Sequence, residues 1–455
     1  AALEAAGFDL HVRPGYASKR EMLCGRYAPR WRVRRHEPPM AYGGVRSALV
    51  IGAGLAGSAC AHALARRGWS VQVIERAAAP ARGASALPWG LLHPQMAADD
   101  APLARLTRAG VAATHAALAR SVPAGDIDGR PIARCSGVFQ MADGDASWAR
   151  WQSAIARLGW PPDYVEVLDQ ATAAQGVGMV PGHGGLWWPQ GALVSPARWC
   201  SALLADKADL FNGDVVQLKA GREGWTALDW SGHVLAAAPV VIVAAAIASP
   251  ALLGMTRARV QTIRGRIAFL DPAPFANLQA PITGDGYLLR DPDGGVAAGA
   301  TYELTLPNDA PEGSLSEARA LQSNLVRLQR LLASPPPVDA IGSFDGLRSV
   351  ARDRLPLAGA VPDELVAQAA ARELRGAHLV DVPRRPGLYT CFALGSRGLT
   401  LAPLLAELIA ASIEGEPLPI ERALAAAVDP ARFLLGSLRR DAALQSVRCD
   451  PVPPP

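Results

Sequence analysis

The stretch from Ser47 to Glu75 constrains this chain more than any other. Ser47-Ala-Leu-Val-Ile51 is a short apolar run that stops at Gly52, as a buried parallel strand does. Gly52-Ala53-Gly54-Leu55-Ala56-Gly57 follows, then an Ala-rich segment that closes on Arg66, Arg67 and Gly68, the way a helix ends. A second apolar run, Ser70 to Ile74, leads to Glu75. The three glycines differ in what they permit. Gly52 makes the tight turn, Gly54 lets a pyrophosphate approach the backbone, and Gly57 lets helix pack on strand. Glu75 lies 23 residues after Gly52. That is close to the ~20-residue spacing of a carboxylate that grips a ribose 2′-OH. Strand, glycine loop, helix, strand and acid agree on a dinucleotide with an unphosphorylated ribose, FAD or NAD rather than NADP.

The 455 residues, half of them hydrophobic, suffice for two or three domains. Six scattered cysteines without a C-x-x-C pair point to a reducing cytoplasm and, with no metal-ligand spacing among the eight histidines, to no metal. Leu235 to Met255 is nearly all apolar, but Pro239 and Pro250 interrupt it, so it reads as a buried strand and no membrane span is expected. Positive charge concentrates at the start. Residues 1–46 carry nine Lys/Arg against four acids, +5, whereas the whole chain is +4. The opening Ala-Ala-Leu-Glu-Ala-Ala reads as a helix already under way, and no signal peptide is expected.

Strands and helices alternate irregularly after Glu75. Near the end a second strand–glycine–helix unit appears: Gly387 to Ala393, then Gly395-Ser396-Arg397-Gly398, then a long apolar helix to Ile413. A nucleotide-binding start, an interrupted middle and this late unit suit a flavin oxidoreductase with a discontinuous cofactor domain. The helix starting near Leu399, just after this glycine turn, would stabilise negative charge on a flavin ring. Arg348, in Asp345-Gly346-Leu347-Arg348, sits among apolar neighbours and suits a bidentate grip on a substrate carboxylate. Arg352, Asp353 and Arg354 read as a surface ion-pair cluster. Arg264 and Arg266, flanking Gly265, read either as a basic lip over the pocket or as a solvated strand turn. Arg30 to His36 interleaves Trp31 with Arg32, Arg34 and Arg35, which suits RNA phosphates plus stacking or simply a solvated charged face. His93, His183 and Cys391 read as packed residues.

Taken together these stretches resemble the bifunctional bacterial enzymes that finish 5-methylaminomethyl-2-thiouridine at the tRNA wobble position. The resemblance to their FAD-dependent half covers roughly Ser47 to Arg440. It rests on Gly83-Ala-Ser85, Trp89-Gly90-Leu-Leu-His-Pro94, Leu186-Trp-Trp-Pro-Gln-Gly191, Leu347 to Pro356, and Gly395 through Pro417. Residues 3–25 are similar to the last segment of the methyltransferase half. Two positions depart from the family pattern: His93 replaces an aromatic, and Ala244-Ala245-Ala246 replaces a polar or glycine-bearing turn.

The resemblance implies an α/β fold of the D-amino-acid/glycine oxidase type, a Rossmann-like FAD domain with an inserted antiparallel α+β substrate domain. Residues 1–40 would be a methyltransferase remnant and linker, and residues 41–440 the oxidoreductase. Its FAD-binding segments would be about 45–130, 195–255 and 338–425, its substrate segments about 131–194 and 256–337, with a disordered tail at 441–455. FAD would be held by Gly52, Gly54, Gly57, Glu75, Ser85, Gly90, Gly395, Ser396, Arg397 and Gly398. Arg348 would anchor a carboxylate, with Arg264, Arg266, Lys19, Arg20, Arg32, Arg34 and Arg35 toward substrate and tRNA. A cytoplasmic monomer is expected, lacking an S-adenosylmethionine site and preceded by a methyltransferase domain. Its reaction would remove a carboxymethyl group from the wobble base as glyoxylate. Competing readings are an oxidase or dehydrogenase of free glycine, D-amino acids or sarcosine, and a non-catalytic tRNA-binding module.

Overall fold

A computed structural model describes residues 2–5, 7–16, 18–28, 42–121, 126–127, 129–205, 207–305 and 315–448. Its centre is a six-stranded sheet in the order Asp209–Asn212, Ser70–Glu75, Ser47–Ile51, Val240–Val243, Arg384–Phe392, Leu357–Pro362. The first five strands are parallel and the last is antiparallel. Parallel strands must be covered on both faces, which explains why Val240–Val243 is buried at every position. Helices Leu55–Ala65, Pro102–Ser121 and Gly398–Glu414 pack together in the main core with one face of this sheet. An antiparallel meander, Gln217–Gly221, Gly224–Leu228 and Val234–Ala238, packs with the other face.

Gly398–Glu414 carries Pro403 inside it. Proline has no N–H, so the carbonyl of Leu399, four residues earlier, loses its helical donor. Thr114 replaces it, donating from Oγ1 to Leu399 O at 2.9 Å. Alongside, a Cβ on Gly110 would lie 2.3 Å from Thr400 O, so the two helices touch backbone to backbone there. The start of the long helix is thus pinned at its broken turn.

A second sheet of nine strands carries Val138–Met141, Ile282–Gly284, Gly286–Arg290, Val296–Gly299 and Val260–Leu270 side by side. Ala340–Ala351 pairs antiparallel along nearly the whole of Val260–Leu270. This differs from the sequence expectation, which groups that strand with the cofactor unit; apolar content alone does not say which sheet receives it. The chain then turns at Arg352–Pro356 straight into Leu357–Pro362 of the six-stranded sheet. Helix Glu317–Leu331, capped by Ser316 Oγ accepting from Arg319 N–H, buries its apolar stripe against the nine-stranded sheet.

Two further differences concern the ends. After Ala2–Ala5 the chain forms an antiparallel hairpin, Phe8–Pro14 with Glu21–Tyr27. Arg432–Arg448 is one helix, eight residues longer than Arg440, where the sequence suggests disorder; Ala442, Ala443, Leu444 and Gln445 are good helix formers and carry it on. Among the described residues no helix is long and apolar enough to cross a membrane.

Candidate active site

The loop after Ser47–Ile51 has no room for side chains. Gly52 sits at φ +100°, and a Cβ on Gly57 would lie 1.7 Å from Gly52 O. The helix from Leu55 has Gly54 as its N-cap and so no side-chain cap; Leu55 N–H donates to Ser85 Oγ at 3.2 Å. Glu75 accepts from Ala53 N–H at 2.7 Å and from Ala77 N–H at 3.0 Å, which fixes its carboxylate beside the glycine loop. A bare helix N-terminus with a carboxylate one strand away fits a dinucleotide with free ribose hydroxyls.

The start of this helix, with Ser85, borders a cavity of about 690 Å³, while Gly52, Gly57 and Glu75 lie outside its lining. Gly54, Ser85 and Gly90 line it from the first half of the chain; Gly395, Ser396, Arg397 and Gly398 line it from the last. Positive φ at Ala393 and Gly395, 60° and 57°, folds that late loop sharply back before the helix begins. Its N-cap, Arg397, offers no side-chain cap, so a second helix N-terminus faces the cavity. The Arg397 guanidinium is held by Gln95 Oε1. Burial lowers its pKa, and Arg354 adds to the effect.

Arg348 reaches the same cavity from the nine-stranded sheet. It donates to Ser396 Oγ at 2.6 Å and to Thr301 O at 3.2 Å, and its guanidinium lies 5.8 Å from the ring of Tyr302. Among the described residues no carboxylate pairs with it. Burial lowers its pKa, opposed by Tyr287 and Tyr302. Among the described residues the buried hydroxyl of Tyr287 has no hydrogen-bond partner, and burial pushes its pKa up while Arg348 opposes. A partly desolvated guanidinium without a carboxylate, in a cavity that this phenol also lines, suits a carboxylate ligand.

Arg264 and Arg266 are different. Arg264 Nη2 lies 2.7 Å from Asp345 Oδ2, and Arg266 Nε lies 3.2 Å from the same oxygen. Arg266 is 7% exposed and also approaches Glu303 at 3.6 Å. Neither lines the cavity. Alternation along the strand explains it: Arg264 and Arg266 share the face opposite to Gly265 and Ile267. The residue between them faces the site instead. A Cβ on Gly265 would fall 1.9 Å from Arg348 Nη2, so the missing side chain is the space the guanidinium occupies.

Lys19 and Arg20 are exposed at the tip of the N-terminal hairpin, where Lys19 N–H donates to Tyr16 O. Arg32, Arg34 and Arg35 fall outside the described residues. Asp353 pairs with Arg432 at 2.8 Å rather than with its sequence neighbours. His183 lies near Asp145, 2.9 Å away. His93 and Cys391 both line the cavity, Cys391 buried. His93 shares a hydrogen bond with Pro94 O at 2.8 Å, and burial drives its pKa down to about 4. Ala246, in the Ala244-Ala245-Ala246 stretch where the resemblance implies a polar or glycine-bearing turn, holds φ +48°, a conformation that alanine does not favour. Tyr287, Gln95, Gln140 and Gly265 join the site without having stood out in the sequence; strand alternation around Gly265 is the one signal that points to any of them. Among the described residues no group of three or more His, Cys, Asp or Glu could hold a metal.

Comparison with known proteins agrees with this geometry. The family described as FAD dependent oxidoreductase matches residues 47–412. The chain is 43% identical over 449 residues to the tRNA 5-methylaminomethyl-2-thiouridine biosynthesis bifunctional protein MnmC of Burkholderia multivorans, covering 96% of this chain and 67% of that protein. The same-named protein of Paraburkholderia phytofirmans is 42% identical over 453 residues, with 97% and 68% covered. Among solved structures, glycine oxidase from Geobacillus kaustophilus superposes with a TM-score of 0.67 at 20% identity, covering 85% of this chain and 98% of that one. Iminodiacetate oxidase from Chelativorans sp. BNC1 gives 0.65 at 21% identity, covering 82% and 97%. With the glycine loop, the second helix N-terminus and these matches together, the chain belongs to the FAD dependent oxidoreductase family, in the branch of the MnmC bifunctional proteins.

Proposed function

We propose that this protein removes the carboxymethyl group from 5-carboxymethylaminomethyl-(2-thio)uridine at the wobble position 34 of tRNA. The products are the 5-aminomethyl base and glyoxylate. The observation that carries the reading is Arg348, a half-buried guanidinium without a carboxylate partner among the described residues, in the cavity bordered by both glycine loops. The relatives' printed name supplies the tRNA.

Gly54 would leave space for the pyrophosphate on a turn made by Gly52 and packed by Gly57, Glu75 would meet the ribose, and the helices at Leu55 and Gly398 would present their N-termini. Bound FAD would supply the two-electron acceptor that takes the hydride, as in other flavin oxidations of amines. Arg348 and Tyr287 hold the substrate carboxylate, which presents the adjacent Cα–H and the secondary amine in one orientation. The amine must be neutral, and the nearby cations Arg348 and Arg397 disfavour its protonated form. Loss of the Cα hydride leaves a C=N bond; water adds to it, and the C–N bond breaks to give glyoxylate and the primary amine. No side chain has to take a proton from carbon. Catalysis by this chain is positioning and electrostatics.

The reaction is of the CH–NH oxidoreductase type. Residues 1–40 are read as similar to the end of a methyltransferase half, and no methyl transfer is assigned to them. The nine-stranded sheet is read as the substrate domain, and the enzyme as a cytoplasmic monomer. Lys19, Arg20, Arg32, Arg34 and Arg35 are assigned to the tRNA backbone.

Incubating the protein with tRNA that carries the carboxymethylaminomethyl base, and measuring glyoxylate and wobble nucleosides by mass spectrometry, tests the reading. Glyoxylate release that weakens steeply with salt is expected, since phosphate contacts release counterions. Faster turnover of free glycine or sarcosine, indifferent to salt, would favour the free amino-acid oxidase reading instead.

A further inference from the structure

We infer that Gln140 recognises the base of the substrate, donating from its side-chain amide to a carbonyl or thiocarbonyl group of a pyrimidine ring. This rests on the reaction proposed above. Gln140 lines the same cavity as Arg348. Behind it Trp188 is 1% exposed, and its indole N–H donates to Gln140 Oε1 at 3.1 Å. An indole nitrogen can only donate, so the oxygen of the amide must be the atom facing it. That bond fixes the amide orientation. The NH₂ is left without an acceptor among the described residues, and two donors face an open cavity.

The register gives the distance scale. Gln140 lies directly beside Thr283, and Thr283 directly beside Tyr287. Residues paired across strands share a face, so the three side chains form one row. Gln140 and Tyr287 are two strand spacings apart, roughly 10 Å. Tyr287 and Arg348 both line the cavity, and the reaction proposed above places the substrate carboxylate at their end of it. A free amino acid held at that end is too short to meet Gln140. A glycine unit joined through its nitrogen and one methylene to a six-membered ring reaches it, with the ring carbonyls leading. A donor-only group also suits that ring edge, because uracil and thiouracil present acceptors at both exocyclic positions.

Gln140→Glu tests this. It keeps an oxygen for Trp188 and removes the NH₂, so the fold retains its bond while the base loses its donor. With tRNA carrying the modified base, KM is expected to rise about tenfold or more, the scale of one lost hydrogen bond, with kcat nearly unchanged. FAD content and Tm should match the wild type, which a merely structural role for Gln140 would not allow. Should the Glu side chain cost the protein its FAD, Gln140→Met fills the same space without a donor and is expected to show the same rise in KM. A wild-type KM in the FAD-loaded variant overturns the assignment while leaving the reaction standing. If the wild-type protein releases no glyoxylate from that tRNA, the reaction and the assignment fall together.

Discussion

Arg348 donates to Ser396 Oγ at 2.6 Å, which joins the strand Ala340–Ala351 of one sheet to the glycine turn ahead of the helix Gly398–Glu414. The two stretches lie 48 residues apart in sequence. One bond therefore sets the cation proposed to hold the carboxylate against the wall where the second helix N-terminus opens.

Removing that cation should be costly for substrate and harmless to cofactor. Hydrogen bonds to charged groups contribute about 1.5–3 kcal/mol each, so losing a two-pronged grip should raise KM on the order of 100-fold. Arg348→Ala is expected to do this while the purified protein stays yellow. Arg348→Lys should fall between, since it keeps the charge and loses the planar fork. Steady-state kinetics beside the flavin spectrum would check it, and unchanged kinetics would take Arg348 out of the site.

Gly265→Ala should imitate the loss of Arg348 without touching it. The added methyl would sit 1.9 Å from Nη2, so the guanidinium must swing away. A fall in kcat/KM on the order of tenfold or more is expected from misplacement alone. Melting temperature and FAD content should stay close to wild type. A crystal structure of the variant with Arg348 undisturbed would sink the idea.

His93 gives the site a pH signature. Burial is the main cause of its low pKa, about 4, and Arg397 adds to it, while the bond to Pro94 O opposes. An unfolded histidine titrates near 6.5, so between those values the unfolded chain binds more protons. Stability from this residue is complete above about pH 6.5 and is lost as the pH falls toward 4. His93→Gln should therefore melt with a flatter pH dependence across that window, measured by thermal denaturation. Parallel curves for the two proteins would show that His93 does not titrate in this way.

Thr114→Val should report on the broken helix turn. The carbonyl of Leu399 would lose the hydroxyl that stands in for the N–H Pro403 lacks. A buried acceptor left unpaired costs about 1–3 kcal/mol, so a lower Tm is expected. FAD should dissociate more readily, because the start of that helix lines the cavity. Restoring a donor with Thr114→Ser should recover most of the loss.

Both glycine turns are legible in the sequence because the constraint acts on neighbouring residues: a turn, a helix start and an acid lie within one short window. Arg348 is legible for a related reason, a cation in an apolar setting. Arg264 and Arg266 are not, since the carboxylate that neutralises them is about 80 residues on, at Asp345. Tyr287 and Gln140 give no local signal at all. Their role depends on which strands lie side by side, and pairings such as Gln140 with Thr283 are set by tertiary packing. The sheet that receives Ala340–Ala351 is hidden on the same account: an apolar run says that a strand is buried, not which neighbour it has.

The order of strands in the six-stranded sheet has a consequence for how the protein is made. Ser47–Ile51, which leads into the phosphate-binding turn, is flanked by Ser70–Glu75 and Val240–Val243, and beyond the latter lies Arg384–Phe392. During synthesis the first two strands wait for about 130 residues before their next neighbour, Asp209–Asn212, exists, and for more than three hundred before the parallel set is complete. Apolar strand edges stay uncovered through that interval, a period of exposure to aggregation and to chaperones. The opposite wall of the cavity arrives last, with Gly395 to Gly398. A cofactor held by both glycine turns would therefore bind only after that late segment has been made.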